Sequence, residues 1–234
     1  MPAGTVVAMG GGGFSHDDDD RVLDDHLLSL ARRLSPKVCF VPTASGDAEA
    51  YVERFLDSFT DLRADASVLR LFQRDRSDLR AHVLAQDVVY VGGGSTANLL
   101  AVWRVHGLDE TLVRAARAGV VLAGLSAGMN CWFDASVTDS FGPDLQPLHD
   151  GLGLVPGSAC PHYDGEEQRR PTYLGLVGAG TLPDGYAVDD DCALVIRDGR
   201  LVEAVAARPG ARAYRVERDG DRAVEHALPV RVLH

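Results

Sequence analysis

The sequence predicts an α/β fold, a three-layer arrangement in which a mostly parallel central sheet carries helices on both faces. Three observations carry that prediction. Short apolar runs alternate with longer stretches of helical periodicity through the first 130 or so residues. The runs are apolar throughout rather than alternating, as in strands buried on both faces. Glycine clusters mark the ends of the first, fourth and fifth runs, where a chain turns from strand into helix.

In order, residues 5–9 read as a buried strand and residues 21–33 as an amphipathic helix. Residues 37–42 form the second strand, 48–60 a helix, 67–71 a third strand and 78–85 a short helix. Residues 87–91 form the fourth strand, ending in Gly92-Gly93-Gly94; residues 96–106 and 108–118 are helical, and the fifth strand, from 119 to 123, follows. Beyond residue 132 the texture changes. Residues 133–160 are rich in Gly, Pro and Asp with weak periodicity, which suggests short strands and ordered loops. The apolar segments 186–188, 193–196, 201–202 and 211–216 read as an antiparallel meander, with Asp198-Gly199 as a hairpin turn. That C-terminal hairpin is expected to extend the same sheet. With no internal repeat and no long linker, residues 1–234 are expected to form one domain.

Composition narrows the function classes. The chain has 234 residues, 46% hydrophobic and 24% charged, with a formal charge of -11 and 23 Lys and Arg. That balance argues against nucleic acid or an anionic membrane as partner, since both need clustered positive charge. No run reaches the roughly 18 apolar residues of a membrane span, and residues 1–4 open no basic leader, so a cytoplasmic protein is expected. Cys39, Cys131, Cys160 and Cys192 are scattered without a C-x-x-C pair, which fits reduced core thiols.

Gly124-Leu125-Ser126-Ala127-Gly128 directly follows the fifth apolar run. A serine between two glycines at a strand-to-helix turn projects its hydroxyl from the sheet edge, and the next backbone N–H, that of Ala127, points at a developing oxyanion. The loop Gly92-Gly93-Gly94-Ser95-Thr96 ends a neighbouring strand, so the same crevice can receive its bare N–H groups. Gly10-Gly11-Gly12-Gly13 invites a dinucleotide reading, but His16-Asp17-Asp18-Asp19-Asp20 would place four carboxylates where a pyrophosphate should sit. Those aspartates fit helix capping better than a cofactor or metal site.

A serine hydroxyl needs a base. Of eight histidines, His162 stands at the end of a short apolar strand, in Pro161-His162-Tyr163, where a sheet can hold an imidazole rigidly. The orienting carboxylate is sought in Asp189-Asp190-Asp191, at the expected start of a strand; Asp190 faces opposite to its two neighbours, and spacing leaves open which one meets His162. The order serine, histidine, acid differs from that of α/β-hydrolases.

At these residues the chain resembles the peptidase E (aspartyl dipeptidase) family, relatives of cyanophycinase with a class I glutamine amidotransferase-like fold. The matching pieces are residues 91–100, 124–130, Thr138-Asp139 and residues 161–163, in family order and over almost the whole chain. The resemblance implies Ser126 as nucleophile, His162 as base, and oxyanion donors at Gly94 and Ala127. Asp190 takes the place of the family's glutamate, with a side chain one methylene shorter. Gly93, Ser95, Thr96 and Arg169 are expected to touch substrate, Arg169 by pairing with a carboxylate; Arg170 is equally close in sequence. The implied activity is serine exopeptidase hydrolysis of small peptides, including dipeptides with N-terminal aspartate, by a monomer or homodimer that needs no metal or organic cofactor. A cyanophycinase-like activity, an esterase on the same serine, and a catalytically silent binding module are the other readings.

Overall fold

The computed structural model describes residues 4–15, 21–74 and 76–234. The His16–Asp20 cluster therefore lies outside the described residues. Five parallel strands form one part of an eight-stranded sheet, in the spatial order β1 (Thr5–Met9), β5 (Val121–Leu125), β4 (Val88–Val91), β2 (Lys37–Val41) and β3 (Asp65–Val68). On the other side of β1 come β10 (Cys192–Arg197), antiparallel to it, then β11 (Arg200–Ala206) and β14 (Val230–Val232).

Successive residues of these strands enter opposite core layers. Val6 and Ala8 pack with Val89, Val91 and Leu122 beneath α3 (Leu79–Leu84), α4 (Thr96–His106) and α5 (Leu108–Ala118). Val7 and Met9 pack with Val38, Phe40 and Tyr90 beneath α1 (Val22–Ser29) and α2 (Glu49–Asp61). The expected helix–sheet–helix layering is thus present, and it explains why the strands read as continuous apolar runs. Helix ends follow local chemistry: Ser95 Oγ accepts the Asn98 N–H to start α4, and Gly107 ends it at φ 66°.

Several elements differ in extent from the sequence expectation, among them α1, β3 and β5, the last running Val121–Leu125 rather than 119–123. α1 stops at Ser29 rather than continuing to residue 33: Leu30 and Ala31 still pack against the core, but residues 32–35, Leu34 among them, are exposed and have no core to join. β3 ends at Val68, since the N–H groups of Leu71 and Phe72 both donate to Asp47 Oδ2 at 2.9 Å and so are drawn off the ladder.

The C-terminal expectation needs a larger correction. The β10–β11 hairpin does join the central sheet through Asp198 and Gly199, both at positive φ as a two-residue hairpin requires. However, β9 (Gly185–Val188) and β12 (Ala213–Asp219) belong to a second sheet, in the order β13 (Arg222–Ala227), β12, β9, β8 (Val155–Cys160), β6 (Phe133–Thr138) and β7 (Gln146–Leu148). Its inner face, with Phe133, Val155, Ala159 and Val188, packs on the central core; α7 (Arg169–Gly178) covers the other through Tyr173 and Val177. Alternation within a segment reports that it is a strand and is silent on its partner, so the split was invisible locally. All four cysteines are free and buried, and burial pushes the Cys192 thiol up to about 12. Among the described residues no helix is long and apolar enough to cross a membrane.

Candidate active site

Ser126 lies between β5 and α6 (Ala127–Asn130) at φ 55° and ψ -115°, a left-handed conformation that costs a non-glycine residue about 1–3 kcal/mol. The flanking glycines make the turn fit. A Cβ on Gly124 would sit 2.6 Å from the carbonyl carbon of Gly128, and one on Gly128 would strike the carbonyl of Val91. His162 is also left-handed, at φ 52°, in the loop after β8.

The two are brought together by consecutive carbonyls at the end of β1. Ser126 N–H donates to Met9 O at 3.2 Å, and His162 N–H donates to Gly10 O at 3.3 Å. Nδ1–H of His162 donates to Asp190 Oδ1 at 2.6 Å, which leaves Nε2 as the free face of the ring. Among the described residues no hydrogen bond joins Ser126 Oγ to the imidazole, a spacing common in unliganded hydrolases.

The acidic triplet is a turn, not the start of a strand, and its three side chains go to three different places. Asp190 meets His162, Asp189 Oδ2 accepts the Arg212 N–H at 2.9 Å, and Asp191 Oδ2 accepts from Arg208 Nε at 2.8 Å. The glycine run after β1 acts here. A Cβ on Gly11 would run into Asp190 Oδ1 and lie 3.0 Å from His162 Cε1, and one on Gly12 would strike Asp191 Oδ1. Bare backbone at these positions lets the loop press against the histidine–aspartate pair, a role that capping and cofactor arguments on the sequence did not reach.

A cavity of about 390 Å³ opens at Ser126, walled by Gly94, Ser95, Asn98, Asp139, Ser140, Glu166 and Arg169. The N–H groups of Gly94 and Ala127 meet no protein acceptor among the described residues. Gly94 takes φ 133°, and a Cβ there would collide with the Ala44 carbonyl, so this backbone requires glycine. Gly93 N–H is engaged elsewhere, donating to Tyr51 Oη at 3.2 Å. Thr96 is 1% exposed, and its Oγ1 accepts from Asn130 Nδ2 at 3.3 Å, so its hydroxyl faces a buried network rather than the cavity.

Arg169 and Arg170, equivalent in sequence, separate completely. Arg169 is 3% exposed and clasped by Glu166, with Nε donating to Oε2 at 2.6 Å and Nη2 to Oε1 at 3.2 Å. Arg170 lies over the rings of Tyr163 and Tyr214, at 5.4 and 5.5 Å, and pairs with Glu225 outside the cavity. Glu166, Ser140 and Asn98 escaped sequence reasoning, because single polar residues in loops and on a helix carry no periodic signal.

Chemically, the arrangement offers a half-buried serine at a strained turn on the cavity, an imidazole fixed by a carboxylate, two unengaged N–H groups and a cation–anion wall. The sequence model of peptidase family S51 matches residues 6–204. The chain is 48% identical over 228 residues to a Bacillus subtilis protein named uncharacterized peptidase YgaJ, covering 97% of this chain and 98% of that one. It is 34% identical over 143 residues to peptidase E of Streptomyces coelicolor, covering 59% and 57%. A crystal structure of a peptidase from an acI-B1 Actinobacterium superposes with a TM-score of 0.68 over 97% of this chain and 95% of that one, at 18% identity.

Proposed function

Because this chain belongs to peptidase family S51 and is a serine-type peptidase, we propose that Ser126 is its nucleophile, His162 its general base and Asp190 the group that orients the imidazole. The observation that carries the assignment is the pinning of Ser126 and His162 to the consecutive carbonyls of Met9 and Gly10, with Asp190 2.6 Å behind the ring. Ser126 Oγ attacks the scissile carbonyl carbon while His162 Nε2 takes the hydroxyl proton. The resulting oxyanion rests against the N–H groups of Gly94 and Ala127, whose lack of protein acceptors supports this role. Collapse breaks the C–N bond, and the proton on His162 passes to the departing amine. Water, deprotonated by the same nitrogen, then releases the acyl group and restores the serine.

The substrates are small peptides cut from their N-terminal end, dipeptides with N-terminal aspartate among them. Support comes from Arg169, a buried cation in the cavity wall that can receive a side-chain carboxylate by the same two-pronged pairing it now makes with Glu166. Glu166 is half-exposed, so binding of such a substrate proceeds by exchange: the Glu166 carboxylate swings out and the substrate carboxylate replaces it. Ser126→Ala should lower hydrolysis of Asp-Leu by about 10⁴-fold or more and abolish labelling by a fluorophosphonate, with the thermal unfolding midpoint retained. Turnover by that variant at the parent rate would reject the mechanism.

A further inference from the structure

Two loops that meet at the His162–Asp190 pair carry four carboxylates, Asp164 after β8 and Asp189, Asp190 and Asp191 in the turn before β10. Like charges repel, so loops that carry them stay together only where cations or N–H groups engage the carboxylates. Asp190 is engaged by His162, and Asp189 by the Arg212 N–H, with burial and then the field of Asp164 pushing its carboxyl up to about 6. Asp164 and Asp191 share one cation. Arg208, just beyond β11, donates through Nη2 to Asp164 Oδ2 at 3.0 Å and through Nε to Asp191 Oδ2 at 2.8 Å. Asp164 Oδ1 in turn accepts the Asp190 N–H at 2.9 Å, and the neighbouring Ala207 N–H donates to Asp191 O at 2.8 Å.

We propose that Arg208 is a positioning residue for the His162–Asp190 pair: its guanidinium ties the loop after β8 to the 189–191 turn and offsets the charge of two carboxylates that these segments carry. Arg208 stands outside the cavity and acts through Asp164 and Asp191. The inference rests on the triad reading above, with His162 as the base. Among the described residues, other charged side chains near His162 pair elsewhere. Glu166, whose N–H donates to the His162 carbonyl, is paired with Arg169, and Arg170 above Tyr163 is paired with Glu225. The loop after β1 presents Gly11, which brings no charge. Among the described residues, Arg208 is the cation that bridges the two acidic loops.

The test uses the full chain with Arg208→Gln, Arg208→Lys and Asp164→Asn. It measures kcat and KM on Asp-Leu across pH, together with an NMR titration of the His162 ring, assigned by its loss in His162→Asn. Removing the cation should raise the affinity of the imidazole for its proton. The ascending limb of kcat/KM and the His162 titration should therefore both move to higher pH, by about 0.5 unit at low salt and less at high salt. In Arg208→Gln kcat should fall roughly tenfold while KM stays within about twofold, as expected for a displaced base. Arg208→Lys should restore the limb but only part of kcat, because an ammonium supplies charge without the fork. Asp164→Asn, which removes a negative charge, should move the limb to lower pH.

A kcat loss in Arg208→Gln with an unmoved His162 titration would mean a merely structural role and would overturn the proposal, as would profiles superposing on the parent. Should Arg208→Gln fail to fold, the direction of the Asp164→Asn shift decides, an unmoved limb counting against it. Failure of the triad reading is separately visible as activity surviving in Ser126→Ala, and the NMR titration still reads the charge of Arg208 in that event.

Discussion

Ser126, His162 and Asp191 all occupy left-handed backbone, and among the described residues only three other non-glycine residues do so, Asp47, Arg63 and Asp198. Strain of this kind persists only where surrounding contacts over-determine it, and here the contacts are the carbonyls of Met9, Gly10 and Gly11. Gly11→Ala is therefore expected to force Asp190 and His162 apart, lowering kcat by roughly 100-fold with a folded protein, as read by steady-state kinetics beside circular dichroism. Arg169→Gln should remove the preference for Asp-Leu over Ala-Leu, costing the acidic substrate roughly 10- to 100-fold in kcat/KM and the neutral one little; equal losses on both would place Arg169 in a structural role. The placement of Ser126 on a strand-to-helix turn and of His162 at a strand end was legible in the sequence, because each leaves a local pattern. The choice of Asp190 over its neighbours was not, since it depends on which way a tight turn throws each side chain.

At the scale of elements, the site depends on α2 as well as on the loops. Tyr51 of α2 accepts the Gly93 N–H, stacks on Phe14 with ring centroids 5.2 Å apart, and lies where a Cβ on Gly92 would fall, 2.7 Å from its Cε1. Helix and glycine loop are thereby locked in register, and Gly94 is left to face the cavity. Tyr51→Phe leaves a partly buried N–H without its acceptor, which should cost about 1 kcal/mol of stability in urea unfolding. If the loop is displaced as well, kcat should drop several-fold with KM nearly constant; a parent kcat would show that stacking alone holds the loop. Periodicity revealed α2 as a helix, but the reach of its one tyrosine across to the end of β4 is a tertiary fact.

For the whole molecule, Asp24 links stability to pH. It is fully buried between α1 and the core, its Oδ2 accepting the Phe14 N–H at 2.7 Å, and burial pushes its carboxyl up to about 7. The folded state thus holds a proton that the unfolded chain releases near pH 4. The contribution of Asp24 to stability is constant below that pH, falls as pH rises to about 7, and stays low above it. Thermal unfolding of the parent should accordingly show a lower midpoint at pH 8 than at pH 5.5, and Asp24→Asn, which keeps an oxygen for Phe14, should flatten that difference. An unchanged pH dependence in the variant would assign it to other groups.

The sequence by itself determined the layering, the five parallel strands with their helices, and the strand-to-helix turn that carries Ser126. All of these are encoded by periodicity and by residue types acting within a few positions of one another. Only the tertiary structure decided that the C-terminal strands divide between two sheets, that Gly10–Gly12 form the floor beneath His162 and Asp190, and that Arg169 rather than Arg170 enters the cavity. Each of those outcomes turns on contacts between segments distant in the chain, where the energy lies in which surfaces meet and not in the local preference of either segment.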